Sequence, residues 1–447
     1  MRIGGGTAIL AALCACATAV RAADPPMMRE IATAPDPVRL EASVRALVGF
    51  GTRHTASETA STRRGIGAAR RWAQSRFEEI GRKCGGCLSV STPAQTVQEA
   101  GLPGALGIID VVAVQRGDTD PDRVIVLTGH IDSRVSDIGN ATADAPGADD
   151  DASGVAVVIE AARVLSRYRF PATLVYGVLS GEEQGLFGGK LLAATTKAQN
   201  WRIEADLNND IVGATRGQNG SNDSTRLRVF SESTRAQETA AEAEQRRNAG
   251  GESDSPSRNV ARYAKAVAEH YLPNWTVALV NRADRVERGG DHLAFNEAGY
   301  PAVRFTENAE DYRHQHQDVR VADGIQYGDT IDHIDFAYLA RVTATNALLA
   351  AALARAPAPP VKVSIGGAVT PDTRLSWATP PGPAVARYRV YWRDSGAQAW
   401  EHGLDVALAD TFLVKGVVID DHDFGVASVS ADGFESPVVF PGPAGAF

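Results

Sequence analysis

Apolar residues recur at helical spacing in two stretches near the start of the chain. Asp36-Pro37 predicts a helix start, with Asp36 as N-cap, Pro37 in the first turn, Leu40, Val44, Leu47 and Val48 on one face, and Gly49 as the stop. Ile66, Ala69, Ala73, Phe77 and Ile80 mark a second helix ending near Gly81. From there the pattern alternates. Short β-rich runs predict strands at Ile108 to Val114, Val124 to Thr128, Thr173 to Leu179, Ile203 to Leu207, Leu227 to Phe230, Val277 to Val280 and Ala302 to Phe305. Helical patterns lie at Gly154 to Leu165, Leu186 to Ala194, Val260 to Tyr271 and Phe336 to Leu353. This alternation predicts an α/β fold, a mixed, mostly parallel sheet sandwiched by helices. Residues 215–258 are polar apart from the run near Val229 and read as a surface excursion.

The pattern changes after a Pro/Ala linker at 357–360. Residues 361–447 have no helical period; they show Leu375 and Trp377, alternating Tyr388, Val390 and Trp392, and runs at Phe412 to Ile419 and Phe424 to Val429 bounded by turn residues. That is the signature of a small antiparallel β-sandwich.

Composition narrows the picture. A chain of 447 residues, 44% hydrophobic and 22% charged, is globular and long enough for one large domain and a smaller one. Its formal net charge of −9, without a basic tract, argues against a nucleic-acid partner. Residues 1–22 pair Arg2 with an apolar run from Thr7 to Val20 and a small-residue site before Ala23. This predicts a secretory signal peptide, too short for a membrane span, and hence an exported, periplasmic or secreted protein without a transmembrane segment. Leu13-Cys14-Ala15-Cys16 loosely resembles a lipoprotein box, so lipid attachment through Cys16 is the alternative. Cys84 and Cys87 remain after cleavage; an even, closely spaced pair in an exported chain predicts a local disulfide.

The polar residues at predicted strand ends carry the chemistry. Strand Val124 to Thr128 runs into Gly129-His130-Ile131-Asp132-Ser133, and ligands in open α/β sheets bind at the carboxyl ends of strands. Asp149-Asp150-Asp151 open a helix; one acid suffices as a cap, and three adjacent carboxylates repel unless a cation neutralises them. Strand Thr173 to Leu179 ends in Ser180-Gly181-Glu182-Glu183, strand Ile203 to Leu207 in Asn208-Asn209-Asp210, and the last strand leads to Tyr312-Arg313-His314-Gln315-His316-Gln317-Asp318. Histidine and carboxylate donors without cysteine fit zinc or cobalt.

GHIDS, PGADDDASG, GEEQGLFGG, LNNDIVG, GGDHLAFNEAGYPAVRF and HQHQD, in that order over residues 36 to 355, resemble peptidase family M28, the zinc aminopeptidases with a phosphorylase/hydrolase-like α/β fold. The resemblance implies a 23–356 catalytic domain holding two Zn²⁺ ions, or another divalent transition metal such as Co, and cleaving N-terminal residues from peptides or proteins. It implies His130, Asp150 as bridge, Glu183, Asp210 and His314 as metal ligands, Glu182 as general base and Asp132 as the partner of His130. His314 is preferred to His316 because it lies four residues before Asp318, as the family's histidine lies before its acid. Tyr312 or Arg313 is expected to stabilise the oxyanion, with Arg313 as a binder of a substrate carboxylate, or in an ion pair with Glu310 or Asp311, as the alternatives. The resemblance also implies a cis peptide between Asp150 and Asp151. A same-fold glutaminyl cyclase, which would be an acyltransferase, and a non-catalytic binding ectodomain are the competing functions. The C-terminal stretch resembles a fibronectin type III module through LSW, YRVYWR and VASVSADGFES.

Overall fold

The computed structural model describes residues 25–98 and 104–447; the predicted signal peptide and Cys16 lie outside them. An eight-stranded sheet runs in the order Ser89–Ser91, Val111–Gln115, Ala172–Leu179, Asp120–His130, Arg202–Asn209, Ala302–Glu307, Arg226–Ser231 and Thr276–Val280. Four adjacent central strands, Ala172–Leu179 through Ala302–Glu307, are mutually parallel, with antiparallel neighbours on both sides. Ala172–Leu179 is buried at every position, which explains why it reads as a continuous apolar run rather than an alternating one. Asp120–His130 is followed in the chain by its neighbour on one side and then by its neighbour on the other. Strand order therefore reverses there, opening a crevice at the carboxyl ends.

Asp36 caps helix Pro37–Val48 by accepting from Val38 N, and Gly49 ends it, as the residue pattern predicts. Helix Phe336–Arg355 is apolar and long enough to cross a membrane, but 78% of that apolar window is buried inside the protein, so it serves as a core helix. Cys84 and Cys87 form a disulfide at the end of helix Gly65–Lys83. The 215–258 stretch divides: Arg226–Ser231 pairs with Ala302–Glu307 and Thr276–Val280 inside the sheet, whereas helix Ala240–Asn248 buries no residue.

Residues 361–429 form two three-stranded antiparallel sheets around Leu375, Trp377, Tyr388, Val390, Phe424 and Val426. This module is locked to the rest of the chain. Arg393 lies between Asp254 (3.1 Å) and Asp423 (2.7 Å), and Arg262 reaches the same Asp254 at 2.8 Å. Tyr263 Oη donates to the carbonyl of Glu435 at 2.6 Å. Arg123, at the amino end of the central strand, binds the carbonyls of Leu353 and Ala356 and so fixes the linker at the edge opposite the strand ends that carry His130 and Asp210. A cavity of about 450 Å³ between helix Pro256–Tyr271 and the module contains none of the predicted metal ligands. Arg393→Met leaves two buried carboxylates without their shared cation and is expected to lower stability by about 3 kcal/mol. Urea unfolding checks this; an unchanged midpoint would mean that the lock contributes nothing.

Candidate metal centre

The strand ends supply the groups, two of them after one strand, and the segment leading into the helix that packs behind them supplies the acid triplet. His130 is the last residue of its strand, Glu182 and Glu183 follow Ala172–Leu179, and Asp210 follows Arg202–Asn209. The triplet reaches them because helix Ala152–Leu165 packs very closely on the sheet: a Cβ on Gly154 would lie 2.3 Å from the carbonyl oxygen of Asn209. Gly147, at φ +52°, turns the chain into the triplet in a conformation that favours glycine. Buried Arg53 pins both segments, donating to the carbonyls of Ile131 (2.7 Å) and Gly147 (2.8 Å).

The three acids do three different things. Asp149 accepts from Gly213 N at 2.7 Å. Asp151 is the helix N-cap, accepting from Gly154 N, and also accepts from His130 N at 2.9 Å. Asp150 faces the cleft between two histidines: its Oδ1 is 3.1 Å from His130 Nε2 and its Oδ2 is 3.0 Å from His316 Nε2. The Asp150-Asp151 peptide is cis, as the resemblance implies.

Two donor sets result, His130 with Glu182 and Asp210, and Asp150 with Glu183 and His316; within each, the donor atoms lie within 4.8 Å of one another. Glu183 Oε2 is 3.1 Å from His316 Nε2, and Asp210 Oδ1 is 3.9 Å from His130 Nε2. His130 Nε2 and Glu183 Oε1 are buried without a hydrogen-bond partner, an arrangement costly for polar atoms unless a cation takes their lone pairs. The residues fit divalent zinc. Burial pushes Asp150 up, but the His130 and His316 imidazoles beside its two oxygens outweigh this and hold it well below the usual carboxylate range. It is thus the most readily ionised member of the triplet.

Asp132 orients its surroundings more through the glutamates than through the imidazole. Its carboxylate accepts from the backbone N–H of Gly181 (2.9 Å) and Glu183 (3.1 Å), while His130 Nδ1 meets the Asp132 carbonyl oxygen at 3.1 Å and the carboxylate only at 3.7 Å.

The structure differs from two expectations in the last loop. His316, rather than His314, joins Asp150 and Glu183; His314 stacks on His333 with ring centroids 3.4 Å apart, and burial, followed by the neighbouring His333, lowers its pKa to about 4. The acid expected after the histidine is not Asp318, which accepts from Ser136 Oγ at 3.0 Å. Further along, the carboxylate of Asp329 accepts from Asp149 N (2.9 Å) and Asp150 N (2.8 Å) and so holds the backbone of the triplet. A hairpin of Arg320–Ala322 and Ile325–Tyr327 separates the two, closed at its base by Gly328 N donating to the Arg313 carbonyl at 3.0 Å. For Arg313 the alternative of a loop ion pair is what the structure shows, since it pairs with Asp311, Nε to Oδ1 2.8 Å, while Tyr312 is 58% exposed. Arg313→Ala is accordingly expected to change kcat and KM less than twofold in steady-state assays, since an exposed ion pair contributes little; a large fall in kcat would restore the oxyanion role.

Sequence reasoning missed Arg304 as well. It is fully buried and bridges Asp210 (2.8 Å) to Asp284 (3.1 Å), so it orients a donor from behind. Its only trace in the sequence is an arginine set between Val303 and Phe305 in strand Ala302–Glu307.

Residues 110–349 match the profile of Peptidase family M28. A probable zinc metalloprotease of Pyrenophora teres f. teres is 42% identical over 409 residues, covering 91% of this chain and 84% of that protein. Among solved structures, the LapA aminopeptidase of Legionella pneumophila matches with a TM-score of 0.53 at 18% identity, over 73% of this chain and 74% of that one. A glutaminyl cyclase of Porphyromonas gingivalis matches with a TM-score of 0.50 at 17% identity, over 71% and 98%. At these identities the two structures share the fold with this chain.

Proposed function

Because the chain belongs to peptidase family M28, we propose that it is an exported zinc exopeptidase with two ions in one cleft, releasing N-terminal residues from peptides. The observation that carries this reading is Asp150, whose two oxygens face two different histidines, each grouped with further carboxylates. His130, Asp150 and Asp210 would hold one ion, and Asp150, Glu183 and His316 the other. Zinc bound there supplies Lewis acidity to a scissile carbonyl and acidifies an attacking water. Glu182, 4.0 Å from His130 Nε2, takes the proton of that water and returns it to the leaving amine. Asp132 keeps Glu182 and Glu183 in register through their backbone N–H groups. Export is supported by the N-terminal apolar run and by the Cys84–Cys87 disulfide. The C-terminal sandwich keeps its fibronectin type III-like reading.

The test is metal content together with product identity. Purified protein is expected to carry two zinc ions per chain and, after chelation, to lose and on zinc addition to regain release of the first residue from free peptides. Loss of ammonia from N-terminal glutamine in place of hydrolysis would assign a glutaminyl cyclase. Metal binding without turnover of either substrate would assign a binding protein.

A further inference from the structure

Two guanidinium groups touch the side chains offered to the ions, and they differ in one respect. Arg304 is fully buried and closed off between Asp210 and Asp284. Arg134 keeps 19% of its side-chain surface exposed. It follows the His130 strand end by four residues, with Nη2 2.8 Å from His316 Nδ1 and Nε 3.3 Å from Glu183 Oε2. That Nε is shut off from solvent without a hydrogen-bond partner. Among the described residues, Glu183 is the one carboxylate in ion-pair range of Arg134.

We propose that Arg134 is a substrate-binding residue that holds a peptide carboxylate beside the scissile bond, a step that rests on the peptidase reading above. A cation held by Asp150, Glu183 and His316 draws on the same carboxylate and ring that Arg134 contacts. Glu183 then faces two positive partners with one negative charge, and the guanidinium is left beside the cleft with its planar fork short of an acceptor. A carboxylate matches that fork in shape and charge. The two donor sets are rich in carboxylates, with Glu182 and Asp210 beside His130 and Asp150 and Glu183 beside His316. One partly exposed guanidinium among them gives a zwitterionic substrate a direction: ammonium towards the acids, carboxylate towards Arg134. The substrate class is therefore short peptides whose free C-terminus lies close to the cleaved bond, or peptides with an acidic residue there.

The experiment measures binding in zinc-loaded Glu182→Gln protein by calorimetry, with alanyl-leucine, its C-terminal amide, and the amide of alanyl-glutamate as probes. With Arg134 present, the free acid is expected to bind at least tenfold more tightly than the leucine amide; a similar advantage for the glutamate amide would extend the subsite to acidic side chains. Adding Arg134→Gln should erase the ratio, and Arg134→Lys should keep part of it. In chains with Glu182 intact the same preference should appear in KM. Metal content is measured for each variant. Equal binding of acid and leucine amide, or a preference that survives Arg134→Gln, overturns the proposal. So does equal weakening of all probes together with zinc loss, which is what a mere brace on Glu183 and His316 would give. If no probe binds and no peptide is cut, the peptidase reading itself falls.

Discussion

Glu182→Gln is expected to lower kcat by about 10²–10⁴-fold while both metal ions stay bound. The amide keeps the shape and the backbone anchor to Asp132 but cannot accept a proton. This variant decides a real ambiguity of geometry, because the Glu182 oxygen lies within donor reach of His130 and Asp210 and could be read as a ligand. Base and ligand differ in what their loss removes. A base takes only turnover with it; a ligand takes the ion as well, as Asp210→Asn or Glu183→Gln should. Metal analysis beside steady-state kinetics separates them, and zinc loss or near-normal kcat in Glu182→Gln would end the assignment.

Replacing His316 should have a comparably large effect, and replacing His314 should not. Loss of a partner behind a metal ligand typically costs roughly 10–100-fold in affinity, and loss of the ligating ring itself costs more. His316→Ala is thus expected to leave one ion per chain and to abolish measurable turnover. His314→Ala removes a ring stacked on His333 and should keep two ions, with at most a small drop in melting temperature. Zinc stoichiometry by atomic absorption reads both. If His314→Ala loses an ion and His316→Ala keeps two, the ligand assignment of this loop is reversed.

These two histidines also show where the sequence was legible. The strand ends, the Asp36 cap and the acid triplet follow from local patterns, and the structure brings His130, Asp150, Glu182, Glu183 and Asp210 together. Spacing misled in the last loop because counting back from Asp318 selects His314, whereas the ring that meets Asp150 and Glu183 is His316. Asp329 was invisible because a hairpin separates it from that loop and its partners, Asp149 and Asp150, lie far away in the chain. Helix Pro26–Thr33 was missed because its apolar contribution is small, with Met28 and Ile31 as its buried residues. The lock between Arg393 and Asp254 joins positions 139 residues apart, and no local pattern encodes such a pairing.

The hairpin has a practical consequence. Its base is tied to the loop that carries His316 by the Gly328 to Arg313 hydrogen bond, while its tip, Asp323-Gly324, is left-handed turn backbone with an exposed apolar neighbour at Val321. Length added at that tip is absorbed before it reaches His316 or Asp329. This makes the exposed tip a place where a grafted fluorophore or epitope is expected to be tolerated.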